Sequence, residues 1–156
     1  MNTKKPRNSK HTAGFSLLET LIALLVLAIG LLGLASLQTI GLKFNQQSYQ
    51  RTQAVVLAYD IIDRIRANPT GKNAGLYNSV SESALPSITA GQCTTTTSPC
   101  DATAIANFDI YSWKTNIATL LAEGKGSIST TSARRTVTIR WSESGDDMQV
   151  SIEVEV

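Results

Sequence analysis

The sequence predicts an α+β protein, a long N-terminal helix followed by one further short helix and a small antiparallel sheet. Three observations predict it. Residues 21–35 form an unbroken apolar run, and helical spacing without proline continues from residue 38 to Ala67. A second helical pattern opens at Asp101. Beyond it the period drops to two, in residues 136–141 and 149–156. With 156 residues, the chain holds enough for one domain and not comfortably for two.

The chain opens with a polar, basic stretch, residues 1–14, containing Lys4, Lys5, Arg7, Lys10 and no acid. The rest carries ten basic and twelve acidic residues, so the body is not a nucleic-acid binder on bulk charge. The only histidine, His11, lies in this leader. If that leader is removed, the remaining chain has no histidine, which argues against a Ser-His-Asp triad, a Cys-His pair and a histidine-ligated metal site. No catalytic residue, metal site or cofactor is therefore expected, and the chain is not read as an enzyme.

Residues 15–37 follow, an apolar segment broken by few polar residues. Roughly 20 helical residues span a bilayer core, so this segment can cross a membrane. Basic residues ahead of it hold the leader in the cytoplasm and send the C-terminus across. A secretory signal peptide fits poorly, because the run is too long and the cleavage pattern after it is weak. A plain transmembrane anchor fits better. Glu19 is the awkward residue, since a carboxylate within a span costs on the order of 2.5–3.5 kcal/mol. Its ordinary reading is a side chain that snorkels to the membrane edge.

Gly14-Phe15-Ser16-Leu17-Leu18-Glu19, set between a basic leader and an apolar run, closely resembles the processing motif of type IV pilins and related pseudopilins. The resemblance implies cleavage by a prepilin peptidase between Gly14 and Phe15, then N-methylation of Phe15. It also implies a role for Glu19 in assembly and register. Cleavage creates a cationic amine at Phe15, because an α-amine titrates near ~8. A buried amine and a buried carboxylate are each costly, but together they offset one another. Glu19 would pair with the Phe15 amine of a neighbouring subunit or with its own.

The helix is expected to continue over residues 38–67, with an apolar stripe of Leu42, Tyr49, Val56, Tyr59, Ile62 and Ile65 as core packing. From Phe15 to Ala67 it would measure ~80 Å, far longer than a bilayer is thick, so its second half must lie on a globular body. The resemblance implies the pilin-like lollipop. Asn68-Pro69-Thr70-Gly71 stops the helix. Gly30, Gly33 and Gly41 allow close packing or local melting, and Ser36 stands where many major pilins have proline. Residues 70–104 read as surface loop rich in Gly, Ser, Thr and Asn. Two cysteines cannot make a four-ligand zinc site, and beyond the inner membrane the compartment is oxidising, so Cys93 and Cys100 are expected to form a structural disulfide.

The second helix is capped by Asp101 or Thr103 and ends at Gly124-Lys125-Gly126, with Trp113 as a core aromatic. Two strands with a turn over residues 142–148 form a hairpin with one apolar face, and residues 127–129 begin a third strand. Arg134, Arg135 and Arg140 could form a local basic patch, though a solvated strand face is the ordinary reading.

FDIYSWKTNIATLLAEGKGSI followed by VTIRWSES, with the cysteine pair upstream, resembles minor pilins of the PilV, or type IV pilus modification, group. The resemblance implies four regions. They are a removed leader (1–14), a transmembrane and assembly half of the helix (15–37), an amphipathic half (38–67) and a periplasmic head (68–156). It implies a structural subunit that primes pilus assembly at or near the tip and supports adhesion and twitching motility. The chain would be a single-pass inner-membrane protein before assembly and lie at the pilus and cell surface after it. Implied partners are prepilin peptidase, the inner-membrane assembly platform, the major pilin, other minor pilins and a tip adhesin that they carry. Nucleic acid is not among them. A pseudopilin of a type II secretion system shares the leader, Phe15 and Glu19, and a non-polymerising membrane-anchored adhesin or receptor would share the head.

Overall fold

The computed structural model describes residues 16–88, 93, 100–132 and 134–155. Helix α1 runs unbroken over Leu17–Ala67. Expectation placed its start at Phe15, which lies outside the described residues. Ser16 is not helical but caps the helix, its Oγ accepting from the Leu18 N–H at 3.3 Å and its carbonyl accepting from Glu19 and Thr20. α2 (Pro69–Asn73) follows at once, with Pro69 in its first turn and the Asn68 side chain accepting from Gly71 N–H at 3.0 Å. Then come β1 (Ser79–Val80), α3 (Ala102–Leu120), β2 (Lys125–Thr131), β3 (Arg134–Glu143) and β4 (Asp146–Glu155).

The sheet is antiparallel in the order β1-β2-β3-β4. Along β3 the alternate residues Arg135, Val137, Ile139, Trp141 and Glu143 are buried, as one covered face of a pleated sheet requires. Met148, Val150, Ile152 and Val154 of β4 continue that face and pack against the core. The β3–β4 connection is tighter than the expected turn over 142–148. Ser144 and Gly145 both have positive φ, 54° and 92°. That is the two-residue connection whose twist matches a hairpin, so the ladder extends to Glu143 opposite Asp146.

The described residues divide into two units, one before and one after the step from Lys43 to Phe44. In the second, α1 contributes Ala54, Leu57, Ala58, Ile61, Ile62 and Ile65 to the core. This corrects the expected stripe. Ile62 and Ile65 are buried, but Tyr49, Val56 and Tyr59 are half exposed, and Leu42 further back is exposed by 70%. The physical reason is size. The face with Ala54 and Ala58 lets the backbone approach its neighbours closely, and the isoleucines fill the space that remains.

The segment read as surface loop also contributes to the core. Tyr77 is fully buried, Val80 nearly so, and β1 pairs with β2. α3 brings Ala106, Ile110, Trp113 and Ile117 to the same core. Trp113 is a core residue, as expected, and its Nε1 donates to the Leu57 carbonyl at 2.8 Å. Gly126 belongs to β2 rather than to the end of α3. A Cβ there would lie 2.6 Å from both Trp113 and Ile117, so the strand reaches the helix only because the residue is glycine.

Candidate assembly site

Gly14 and Phe15 lie outside the described residues. Glu19 sits exposed in the first turn of α1. The positive end of the helix dipole favours a carboxylate there. Among the described residues no cation meets that carboxylate.

Beyond Glu19, residues 17–46 are exposed throughout, leucines included, among them Leu17 at 88% and Leu32 at 72%. The segment is long and apolar enough to cross a membrane. Two of its polar side chains are satisfied internally. Thr20 Oγ1 donates to the Leu17 carbonyl at 2.9 Å and Thr39 Oγ1 to the Ala35 carbonyl at 3.0 Å. Such back-bonding lets a hydroxyl enter an apolar medium without an unmade hydrogen bond. Among the described residues, no side chain lies within 4 Å of where a Cβ would stand on Gly30, Gly33 or Gly41. This stretch presents leucine knobs, three notches and one carboxylate.

Cys93 and Cys100 form a disulfide, with sulfurs 2.02 Å and Cα atoms 5.4 Å apart. The bridge ends one residue before Asp101, the N-cap of α3, whose Oδ1 accepts from Ala104 N–H at 2.7 Å. Of the two expected caps, Asp101 does the work.

A buried polar cluster was not foreseen. Asp109 of α3 is its hub, 7% exposed. Tyr77 Oη donates to Asp109 Oδ2 at 2.7 Å, and Asn68 Nδ2 donates to Tyr77 Oη at 3.1 Å and to the Ala102 carbonyl at 2.9 Å. Arg64 Nη1 reaches Asp109 Oδ1 at 3.4 Å, while its Nε bonds Asp60 at 3.0 Å. Burial pushes the Tyr77 hydroxyl well above its ordinary value, and the Asp109 bond adds to this. Burial lowers the Arg64 value, but bonds and attraction from Asp60 and Asp109 outweigh it and leave the value raised.

Lys114, also buried, donates Nζ to the carbonyls of Ser81, Glu82 and Ala84, pinning the segment after β1 to α3. Burial lowers its value, and Glu82 partly opposes this. An Asp, an Asn, a Tyr and a Lys spread over fifty residues give no sequence signal of convergence, since each reads singly as a solvated or turn residue.

The three arginines considered as a basic patch are otherwise engaged. Arg134 pairs with Glu153 at 3.4 Å and Arg140 with Glu82 at 3.1 Å, while Arg135 is buried and donates to Asn78 Oδ1 at 2.9 Å.

These features define the class, an α+β unit whose packed helix continues N-terminally as an exposed apolar segment. Two family models match the chain. The prokaryotic N-terminal methylation motif matches residues 9–35, and a model described as type IV pilin Tt1218 matches residues 36–111. The matches abut at residues 35 and 36, and together they span residues 9–111, which include all of α1, α2, β1 and half of α3. The chain is a type IV pilin bearing the N-terminal methylation motif, a member of a family of structural subunits. No curated protein and no solved structure matches it significantly.

Proposed function

We propose that the protein is a minor type IV pilin. It is stored in the inner membrane with its head in the periplasm and is drawn into a pilus at or near its tip. Residues 1–14 act as the leader, prepilin peptidase cuts between Gly14 and Phe15, and Phe15 is N-methylated. Residues 15–37 anchor and assemble the subunit. Residues 38–67 join that segment to the head, residues 68–156. The protein performs no chemistry of its own. It primes assembly with other minor pilins, the major pilin and the assembly platform, and through the pilus it supports adhesion and twitching motility.

One observation carries this reading, the exposure of α1 on all sides over residues 17–46. At about 25 cal/mol per Å² of apolar surface, so many exposed leucines need cover that the chain does not supply. Lipid covers them before assembly, and neighbouring helices cover them after it. Glu19 distinguishes the two environments. In the bilayer it lacks a counter-charge, whereas in a filament the Phe15 amine of a neighbour provides one. The resemblance of residues 93–144 to minor pilins supports the finer assignment.

The test combines mass spectrometry with shearing. An intact mass and N-terminal fragments from native membranes should show a chain starting at Phe15 with one added methyl group. Glu19→Ala should be processed normally yet be missing from sheared filaments. A chain that retains residues 1–14 in cells with active prepilin peptidase, or Glu19→Ala recovered at the wild-type level, would overturn the reading.

A further inference from the structure

We propose that the cleft at the β3–β4 end of the head is a docking pocket for a cationic side chain, lysine or arginine, presented by the head of a neighbouring pilin subunit. The proposal rests on the filament reading above. The cleft has a volume of about 390 Å³ and lies between α1 and the β3–β4 hairpin. Glu143 is its central feature. It continues the inward row of Ile139 and Trp141 on β3 and is only 9% exposed. Its Oε1 is buried and has no hydrogen-bond partner among the described residues. Asp146 stands directly opposite it in the ladder and lines the same cleft.

Two like charges facing each other across a strand pair destabilise it, and a buried carboxylate without a partner is costly. The cation on the wall, Arg51, forms no ion pair with either carboxylate among the described residues. The cleft therefore keeps an excess of negative charge, with one carboxylate oxygen still without a donor.

The remaining walls suit a long cationic side chain. Phe44 and Met148 line the cleft and offer apolar surface to an alkyl stem. Gln47 and Ser48 supply oxygens that accept from an ammonium or guanidinium. A bare divalent cation would want six or more oxygens at close range, which a half-apolar cleft of this size does not provide.

The experiment compares full-length wild type with Glu143→Gln in the native host, with purified full-length protein melted in detergent. Glu143→Gln keeps the shape and removes the charge. It should melt at the wild-type temperature or above, because a buried unpaired charge is gone, and be processed to the wild-type level. Its recovery in sheared filaments should fall several-fold. A photo-crosslinking residue at Ser48 should join the chain to another pilin, close to a lysine or arginine. Normal recovery of Glu143→Gln when the wild type is present in filaments would overturn this inference alone. Absence of the wild type from filaments would overturn the filament reading and this inference with it. A melting temperature raised by millimolar calcium only when Glu143 is intact would assign the cleft to a divalent cation and overturn the proposal.

Discussion

Replacing Tyr77 with phenylalanine removes one oxygen from the buried cluster that joins α1, α2 and α3. Tyr77 Oη is the donor to Asp109 Oδ2 at 2.7 Å and accepts from Asn68 Nδ2. Asn68 keeps its bond to the Ala102 carbonyl, so its loss is partial. Asp109 fares worse. It is 7% exposed and is left with the longer Arg64 contact at 3.4 Å. A hydrogen bond to a charged group contributes about 1.5–3 kcal/mol, and that range is the expected loss at neutral pH. At roughly 4 °C per kcal/mol for a domain of this size, the melting temperature should fall by roughly 6–12 °C.

The pH dependence sharpens the test. Burial and Asp109 raise the Tyr77 value in the folded state above the 10.0 of free tyrosine. Above pH 10 the unfolded chain releases this proton while the folded chain keeps it. Tyr77 therefore contributes stability that is full below pH 10 and declines as pH rises, by up to about 1.4 kcal/mol per pH unit. The assay is urea unfolding of the full chain in detergent, followed by fluorescence of Trp113 and Trp141, at pH 7 and from pH 9.5 upward. The gap between wild type and Tyr77→Phe should be widest at neutral pH and narrow through the alkaline range. A gap under about 0.5 kcal/mol at pH 7, or one that stays constant above pH 10, would refute the argument.

Gly126→Ala should cost about 1–3 kcal/mol, because its Cβ meets Trp113 and Ile117 at 2.6 Å; denaturant midpoints would measure this, and a neutral result would mean that β2 can move off α3. Lys114→Met keeps the alkyl stem and removes the donor to three carbonyls, so about 1–2 kcal/mol should be lost and proteolysis within residues 81–88 should quicken. A chain beginning at Phe44 should fold as a water-soluble head with near-wild-type cooperativity, since every core residue lies beyond that point; loss of its near-ultraviolet circular dichroism would contradict this.

The elements with strong periodicity were legible from sequence. The long helix, its stop before Pro69, the second helix with its Asp101 cap and the β3–β4 pair follow from spacing, proline and period-two alternation. What failed was the choice of face. Leu42, Tyr49 and Val56 repeat every seven residues and look like a seam, but the face that packs carries Ala54 and Ala58. A hydrophobicity pattern rewards large residues, whereas close packing of a helix rewards small ones. The Asp109 cluster and the Lys114 contacts were illegible for another reason. They join residues distant in sequence, and nothing local marks an aspartate as the acceptor for a tyrosine thirty-two positions away. Of the proposed site, Glu19 was legible because a carboxylate beside an unbroken apolar run is conspicuous in one dimension. Glu143 was not, because its burial exists only once β3 has a covered face.

The two carboxylates share a physical logic. Glu19 lies exposed at the start of a helix segment whose apolar surface nothing in the chain covers, and no cation of the described chain meets it. Glu143 lies buried on the core side of the sheet with an oxygen that no donor of the described chain meets. A neutral residue in place of Glu143 would cost less in the isolated monomer, and one in place of Glu19 would cost less once the segment enters an apolar medium. An external cation changes the sign of the argument at each site. The carboxylate then satisfies a partner, and because charge attraction depends on placement, it does so in one register and not in others. Apolar cover alone cannot supply that discrimination, because a leucine surface is as well covered by lipid as by a neighbouring helix. On this reading, the apolar helix supplies affinity for any apolar surrounding, and the two unpaired charges decide which surrounding is the right one.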